Sequence, residues 1–108
     1  MARYKVHQAI KKDDPYAVEK ALEKIKPQEN LRTDGEDFTC IHDAADTNSP
    51  LAMQVLLDNL EETADEDTKF KIVNVLESKL ERTAAIIAIQ KKSYEAFEVL
   101  LMDGYVDL

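Results

Sequence analysis

Apolar residues recur along this chain at spacings of three and four, interrupted by proline and by polar clusters. Val6, Ala9 and Ile10 line one side of a segment from Val6 to Lys12, the pattern of an amphipathic helix. Asp13-Asp14-Pro15 breaks it. Proline cannot continue a helix but suits the first turn of a new one, with Asp14 as its cap. A second helix follows from Pro15 to Lys26, with Val18, Ala21, Leu22 and Ile25 as its stripe, and Pro27 ends it. A polar loop from Gln28 to Phe38 comes next. A third helix is expected from Thr39 to Asp46, with Ile41, Ala44 and Ala45 facing inward. Asn48-Ser49-Pro50 repeats the break and restart, and a fourth helix from Pro50 to Leu60 carries Leu51, Met53, Leu56, Leu57 and Leu60. Thr63 and Glu66 have the spacing of a capping box. Behind them Phe70, Val73, Leu76 and Leu80 predict a helix from about Ala64 to Leu80. Residues 83–91 form a short apolar helix and Tyr94 to Met102 the last one, with Gly104 as its stop.

These segments pair, and the pairs repeat. Val6, Val18 and Ala21-Leu22 match Ile41, Met53 and Leu56-Leu57, and again Ala85, Phe97 and Leu100-Leu101. Within each unit the spacings are 12 and 15, and the offsets between units are 35 and 44.

With that register in place, the chain resembles the ankyrin repeat, whose period is about 33 residues with a T-P-L-H-x-A signature. The middle unit carries the match through Asp34, Thr39, Ile41, His42, Ala44, Ala45, Met53, Leu56 and Leu57, with Cys40 in the place of the proline. Asp37 stands at the turn glycine, Asn48 and Lys92 at the glycine between helices, and Ala85 and Ile86 at the signature Leu and His. The resemblance implies an all-α, ankyrin-type solenoid of antiparallel helix pairs with one short finger loop and one inserted helix. Its units are residues 5–33, 34–62 and 81–108, with the insert at about 63–80 in place of a second finger. Ser78 to Arg82, where that finger would lie, shows no turn chemistry. The chain is either a complete module or a piece of a longer protein.

Composition agrees with a single helical domain. The chain has 108 residues, 44% hydrophobic and 33% charged, with 2 Gly and 3 Pro, too few for a turn-rich β protein. One cysteine forms no disulfide within the chain, no apolar run approaches a membrane span, and no signal peptide opens the sequence, so a cytosolic, reducing setting is expected. Net charge is -8, which argues against nucleic acid. The charge is uneven: residues 1–33 carry +3, residues 34–67 carry 11 acids and no Lys or Arg, and residues 68–108 balance at zero.

Candidate chemistry is sparse. Cys40 and His42 are two apart, and residues at that spacing on a helix do not face each other. The resemblance makes His42 a structural residue at the helix start, with His7 in the same place one unit earlier. Two histidines 35 apart and one cysteine make no zinc site. Asp65-Glu66-Asp67 lacks the spacing of a calcium loop, and two glycines make no phosphate cradle. No enzyme, metal or cofactor is expected.

The resemblance therefore implies a non-catalytic protein-binding module using finger loops and the outward face of each first helix. Its site residues are Gln8, Lys11 and Lys12; Asp34, Glu36, Asp37 and Phe38 on the finger; Asp43, Asp46 and Thr47; and Ile87, Gln90 and Lys91. Phe38 is either an exposed anchor or folded back over the neighbouring helix. The partner is another protein with a basic surface, not nucleic acid or a membrane interior. The alternative is a regulatory or structural segment of a larger protein, such as the cytosolic arm of a membrane channel or an inhibitor subunit. Three structural expectations accompany this reading. Asp34, Glu36, Asp37, Asp43 and Asp46 should form one acidic face, and the insert should pack through Phe70, Val73 and Leu76. Ile86, Ile87, Ile89, Tyr94, Phe97, Val99, Leu100 and Leu101 are too many for one side of two helices, so part of them should form an exposed patch that supports self-association.

Overall fold

The computed structural model describes residues 2–23 and 38–107, with no side-chain description for residues 2–4. Every regular element among them is a helix: α1 (Ala2–Lys11), α2 (Pro15–Leu22), α3 (Cys40–Asp46), α4 (Pro50–Thr63), α5 (Glu66–Asn74), α6 (Ala84–Gln90) and α7 (Tyr94–Asp103). Three hairpins, α1/α2, α3/α4 and α6/α7, pack side by side. Their first helices make one row, α1 on α3 on α6, and their second helices another, α2 on α4 on α7. The Cα radius of gyration is 12.0 Å, close to the ~13 Å of a single domain this long.

The hairpins share one turn. Asp13, Asn48 and Lys92 sit in the left-handed region at φ 52°, 49° and 59°. The next residue's N–H then reaches back five positions: Asp14 to Ala9 O at 3.1 Å, Ser49 to Ala44 O at 3.0 Å and Ser93 to Ala88 O at 2.8 Å. This is the Schellman stop of each first helix, and the same residue stands at the N-cap position of the second helix. The positions repeat at the offsets of 35 and 44 found in the sequence.

Those turns also join the hairpins. In α2 the cap is local, with Asp14 Oδ1 accepting from Ala17 N at 3.1 Å. In α4 the Ser49 hydroxyl is diverted to donate to Ile10 O at 2.6 Å. The third N–H of α4, on Ala52, is taken instead by Asp13 Oδ1 of the preceding hairpin at 2.9 Å. α7 repeats this, its Ala96 N–H donating to Asn48 Oδ1 at 3.1 Å. Each left-handed turn residue thus caps a helix in the next hairpin. The third such position holds Lys92, a side chain with no acceptor.

The core fills the space between the rows. Ile10, Val18, Ile41, Met53, Leu56, Leu57, Leu60, Ile87 and Leu100 are fully buried. Ala44, Ala45, Ala84, Ala85 and Ala88 are buried too, and their small side chains let the first helices approach closely. α3, in the middle, is buried from Cys40 through Ala45.

The segment between the second and third hairpins departs from the sequence reading. Its helix is α5, and it ends at Asn74 rather than Leu80. Thr63 is not its cap: the Thr63 hydroxyl donates to Asn59 O at 2.7 Å as the last residue of α4. Asp65 caps α5 instead, accepting from Thr68 N at 2.7 Å. Phe70 is 45% exposed, and Leu76 and Leu80 are exposed as well, leaving Val73 as the buried apolar contact. Lys69 takes the inward position, only 2% exposed. Its ammonium bonds Glu61 at 2.9 Å and Asp103 at 3.0 Å. It also lies 4.2 Å from the centroid of the Tyr105 ring. The helix is rotated because this cation finds two carboxylates there, and a buried ammonium needs such partners.

The following residues are a turn after all. Glu77 is buried, its N–H donates to Arg82 O at 2.9 Å, and its carboxylate accepts from Leu80 N at 2.7 Å. Glu81 adopts φ 55°. A buried carboxylate supplies what glycine or asparagine would normally provide, so residues 77–82 form a turn in addition to α5 rather than being replaced by it.

Two stability predictions follow from these contacts. Asn48→Gly keeps the left-handed turn but removes the oxygen that caps α7, and should cost about 1 kcal/mol in urea unfolding. Lys92→Gly, at the equivalent turn with no acceptor to lose, should be neutral or mildly stabilising. For α5, Lys69→Met should cost about 3–5 kcal/mol because Asp103 is left without its charge partner, whereas Phe70→Ala should cost less than about 1 kcal/mol. Equal losses for the last two would show that α5 is oriented by its phenylalanine.

Candidate functional site

The residues expected to form one outward face point in different directions. Gln8 and Lys11 are exposed on α1, and Lys12 is exposed in the turn that follows it. Asp43 is buried and bonded to His7 Nδ1 of α1. Ile87 is buried against the preceding hairpin's side of the stack, 0% exposed. These corrections have one cause. Gln8, Asp43 and Ile87 are equivalent positions that face back along the stack. α1 covers the second and α3 the third, while no described helix covers the first.

The remaining positions sit near the turns. Asp46 is half-buried and pairs with Lys91 at 3.3 Å. The Thr47 hydroxyl bonds Asp43 O at 2.9 Å and Ser49 Oγ at 2.7 Å. Gln90 is exposed and accepts from Arg82 Nη1 at 2.9 Å. Asp34, Glu36 and Asp37 lie outside the described residues. Asp43 and Asp46 cannot form a bare acidic face, because His7 and Lys91 pair with them. Phe38 is half-buried and stacks on the His42 ring, centroids 5.3 Å apart, so it is folded back rather than projecting.

His42 organises this region. Its Nδ1 accepts from Thr39 N at 3.0 Å, while the Thr39 hydroxyl accepts from His42 N at 3.3 Å, a capping box with His in the Glu place. On the other side Nε2 donates to Val75 O at 2.9 Å and Arg82 O at 3.1 Å. One nitrogen must accept and the other donate, so the neighbours select the neutral Nε2–H tautomer. Burial pushes the His42 pKa down, with the two carbonyl bonds acting against it. His42 therefore ties α3 to the loop before α6 and leaves no ring nitrogen for chemistry on Cys40. His7 does not repeat this role, since its Nδ1 meets a carboxylate. Burial pushes the Asp43 carboxyl up, opposed first by its bond to His7.

The exposed acid surplus lies elsewhere. Asp58, Glu61, Glu62, Asp65, Glu66 and Asp67 are all exposed along the last turns of α4 and the first of α5. Asp58, Glu61 and Glu62 crowd the C-terminal half of α4, where the helix dipole disfavours negative charge. Lys69 is the base nearest them in sequence, and it holds the Glu61 carboxyl below its usual pKa. Two hollows flank this ridge. One of about 200 Å³ between α2 and α4 is lined by Glu19, Leu22, Val55, Asp58, Asn59 and Glu62. The other, about 300 Å³ between α4 and α5, is lined by Glu61, Asp65, Glu66, Lys69 and Tyr105 among others. The signal for this ridge was in the charge count of residues 34–67, six of whose 11 acids fall between 58 and 67. Among the described residues no group of three or more ligating side chains could hold a metal ion, and no helix is long and apolar enough to cross a membrane.

The histidine node has a pH consequence. A histidine held neutral in the folded state and free to protonate when unfolded stabilises fully above the unfolded pKa of ~6.5. That contribution is lost as pH falls below ~6.5, by up to about 1.4 kcal/mol per pH unit for one proton. Asp43 acts in the opposite sense, since its raised carboxyl takes up a proton in the folded state first. Urea unfolding between about pH 7 and pH 5 should show stability falling, and His42→Gln should flatten that slope. A wild-type slope unchanged by His42→Gln would assign the effect elsewhere.

No family model matches the chain, and no curated protein or solved structure matches it.

Proposed function

We propose that this chain is a non-catalytic protein-interaction module of the ankyrin type, recruiting a partner with a basic surface. Three hairpins with the same Schellman turn, repeated at the offsets of 35 and 44, support the ankyrin reading. So does the turn at residues 77–82, which takes the place of a second finger before α6. Intracellular residence fits the single buried cysteine.

The observation that carries the binding assignment is the acidic ridge of α4 and α5. Six exposed carboxylates lie within ten residues, and of the two lysines on α5 Lys69 is already committed to Glu61 and Asp103, while Lys71 lies close enough to act on Asp65. Like charges at a helix C-terminus cost stability, so a surface that keeps them has a use for the field they create. Lysine or arginine side chains of a partner would neutralise the ridge, and the hollow between α2 and α4, lined in part by Leu22 and Val55, would seat an aliphatic stem. Such a ridge acts mainly on encounter rate and partner choice.

Titration against a panel of fluorescent peptides, basic and acidic, tests this. The basic peptides should bind, with affinity falling at least tenfold from about 50 to 300 mM salt. The quadruple variant Asp58→Asn, Glu62→Gln, Glu66→Gln, Asp67→Asn should abolish that binding with an unchanged circular dichroism spectrum. Equal binding of acidic peptides, or indifference to salt and to these substitutions, would overturn the assignment.

A further inference from the structure

Five of the ten exposed large apolar side chains among the described residues, Ile86, Ile89, Tyr94, Leu101 and Met102, belong to the third hairpin. Ile86 and Ile89 on α6 are 41% and 53% exposed, and Leu101 on α7 is 39% exposed, with Phe97 half-buried beside them. Tyr94 is exposed, Val99 half-buried, and Ile87 and Leu100 face the core. The positions matching Ile86, Ile89, Phe97 and Leu101 in the middle hairpin are His42, Ala45, Met53 and Leu57. All four are fully buried there, in the hairpin that α6 and α7 pack against. The same register of the same hairpin is therefore a buried packing surface one step earlier in the chain.

The tail does not cover it. Residues Tyr105 to Asp107 turn toward α5, where Asn74 donates to Tyr105 O at 2.7 Å and accepts from Asp107 N at 2.8 Å. The opposite end of the stack is a weaker complement, since its small apolar residues Ala9, Ala17 and Ala21 are rimmed by Lys5, Lys12, Lys20, Asp14 and Glu23, whose charges would lose water against isoleucine. A second copy of the same face is a complement. It is apolar against apolar, and residues 84–103 carry two basic and three acidic residues, a net of -1 against the chain's -8, so two copies meet there with little of the repulsion that the whole chain imposes.

We infer that two copies of this chain associate through the α6–α7 face about a two-fold axis, forming a closed dimer. Because the contact is isologous, it uses this face once on each copy and stops at two. It leaves the α4–α5 acidic ridge outside the contact, giving a bivalent arrangement of two ridges.

Sedimentation velocity and light scattering over about 1 to 500 µM test this on the purified chain. A reversible monomer–dimer equilibrium is expected, and Ile89→Asp should weaken it at least tenfold while the circular dichroism spectrum stays unchanged. Lys12→Glu, at the other end of the stack, should leave it as it is. Should Ile89→Asp fail to fold, Leu101→Lys on the same face provides the second reading and should weaken the dimer by a similar factor. A monomer throughout the range, growth to larger species with concentration, or dimerisation indifferent to both substitutions would each overturn the proposal.

Discussion

The structure depends on a side-chain oxygen carried across from one hairpin to the next. Asp13 takes the Ala52 N–H at the start of α4, and Asn48 takes the Ala96 N–H at the start of α7. A helix start exposes N–H groups that need acceptors. Here the acceptor sits on a residue that already has to be left-handed to close its own turn. One side chain therefore sets the hairpin angle, satisfies a helix end and fixes the spacing between neighbours. Each such bond is worth only about 1 kcal/mol. The consequence is geometric: the hairpins cannot slide along one another without uncapping a helix, so the apolar rows meet in a single register.

Buried polar groups in the second half of the molecule follow a related logic. Lys69 is placed between Glu61 and Asp103 under the Tyr105 ring, Glu77 closes the turn before α6, and His42 holds that turn to α3. Each is a polar side chain in a place where an apolar one would be the default, and each ties an irregular segment to the regular stack. Partners removed from such sites leave unsatisfied groups behind, which makes the arrangement specific more than it makes it strong. The segment from residue 64 to 83 is thus fastened by polar contacts and by Val73, not by an apolar stripe of its own.

The same placement shapes the surface. Carboxylates on α3 are absorbed, Asp43 by His7 and Asp46 by Lys91, while those at residues 58–67 stay in water. An acidic ridge at one corner and a neutral apolar face at the third hairpin result, and each calls for a different kind of contact. Charge draws a basic partner from a distance within the ~8 Å screening length at physiological salt, whereas apolar surface acts only at contact.

Sequence alone determined the helical class, the three hairpins and their register, because prolines, caps and three-and-four spacings are local features that each segment expresses by itself. Asp14 as a cap, Pro15 and Pro50 at helix starts and Gly104 in the left-handed stop at φ 85° are read in the same way. Tertiary structure decided which way each helix faces. The spacing of Phe70, Leu76 and Leu80 predicts a buried stripe, but the attraction of Glu61 and Asp103 for Lys69 rotates α5 and leaves those residues in water. Asp43 and Ile87 occupy the same repeat position as exposed Gln8, and only the neighbour stacked on them buries them. Phe38 turns onto His42 for want of any local instruction, and the turn at 77–82 exists because Glu77 supplies an acceptor in space that no turn motif announces. Period and caps are properties of one segment, whereas burial and charge pairing belong to pairs of segments distant in the chain.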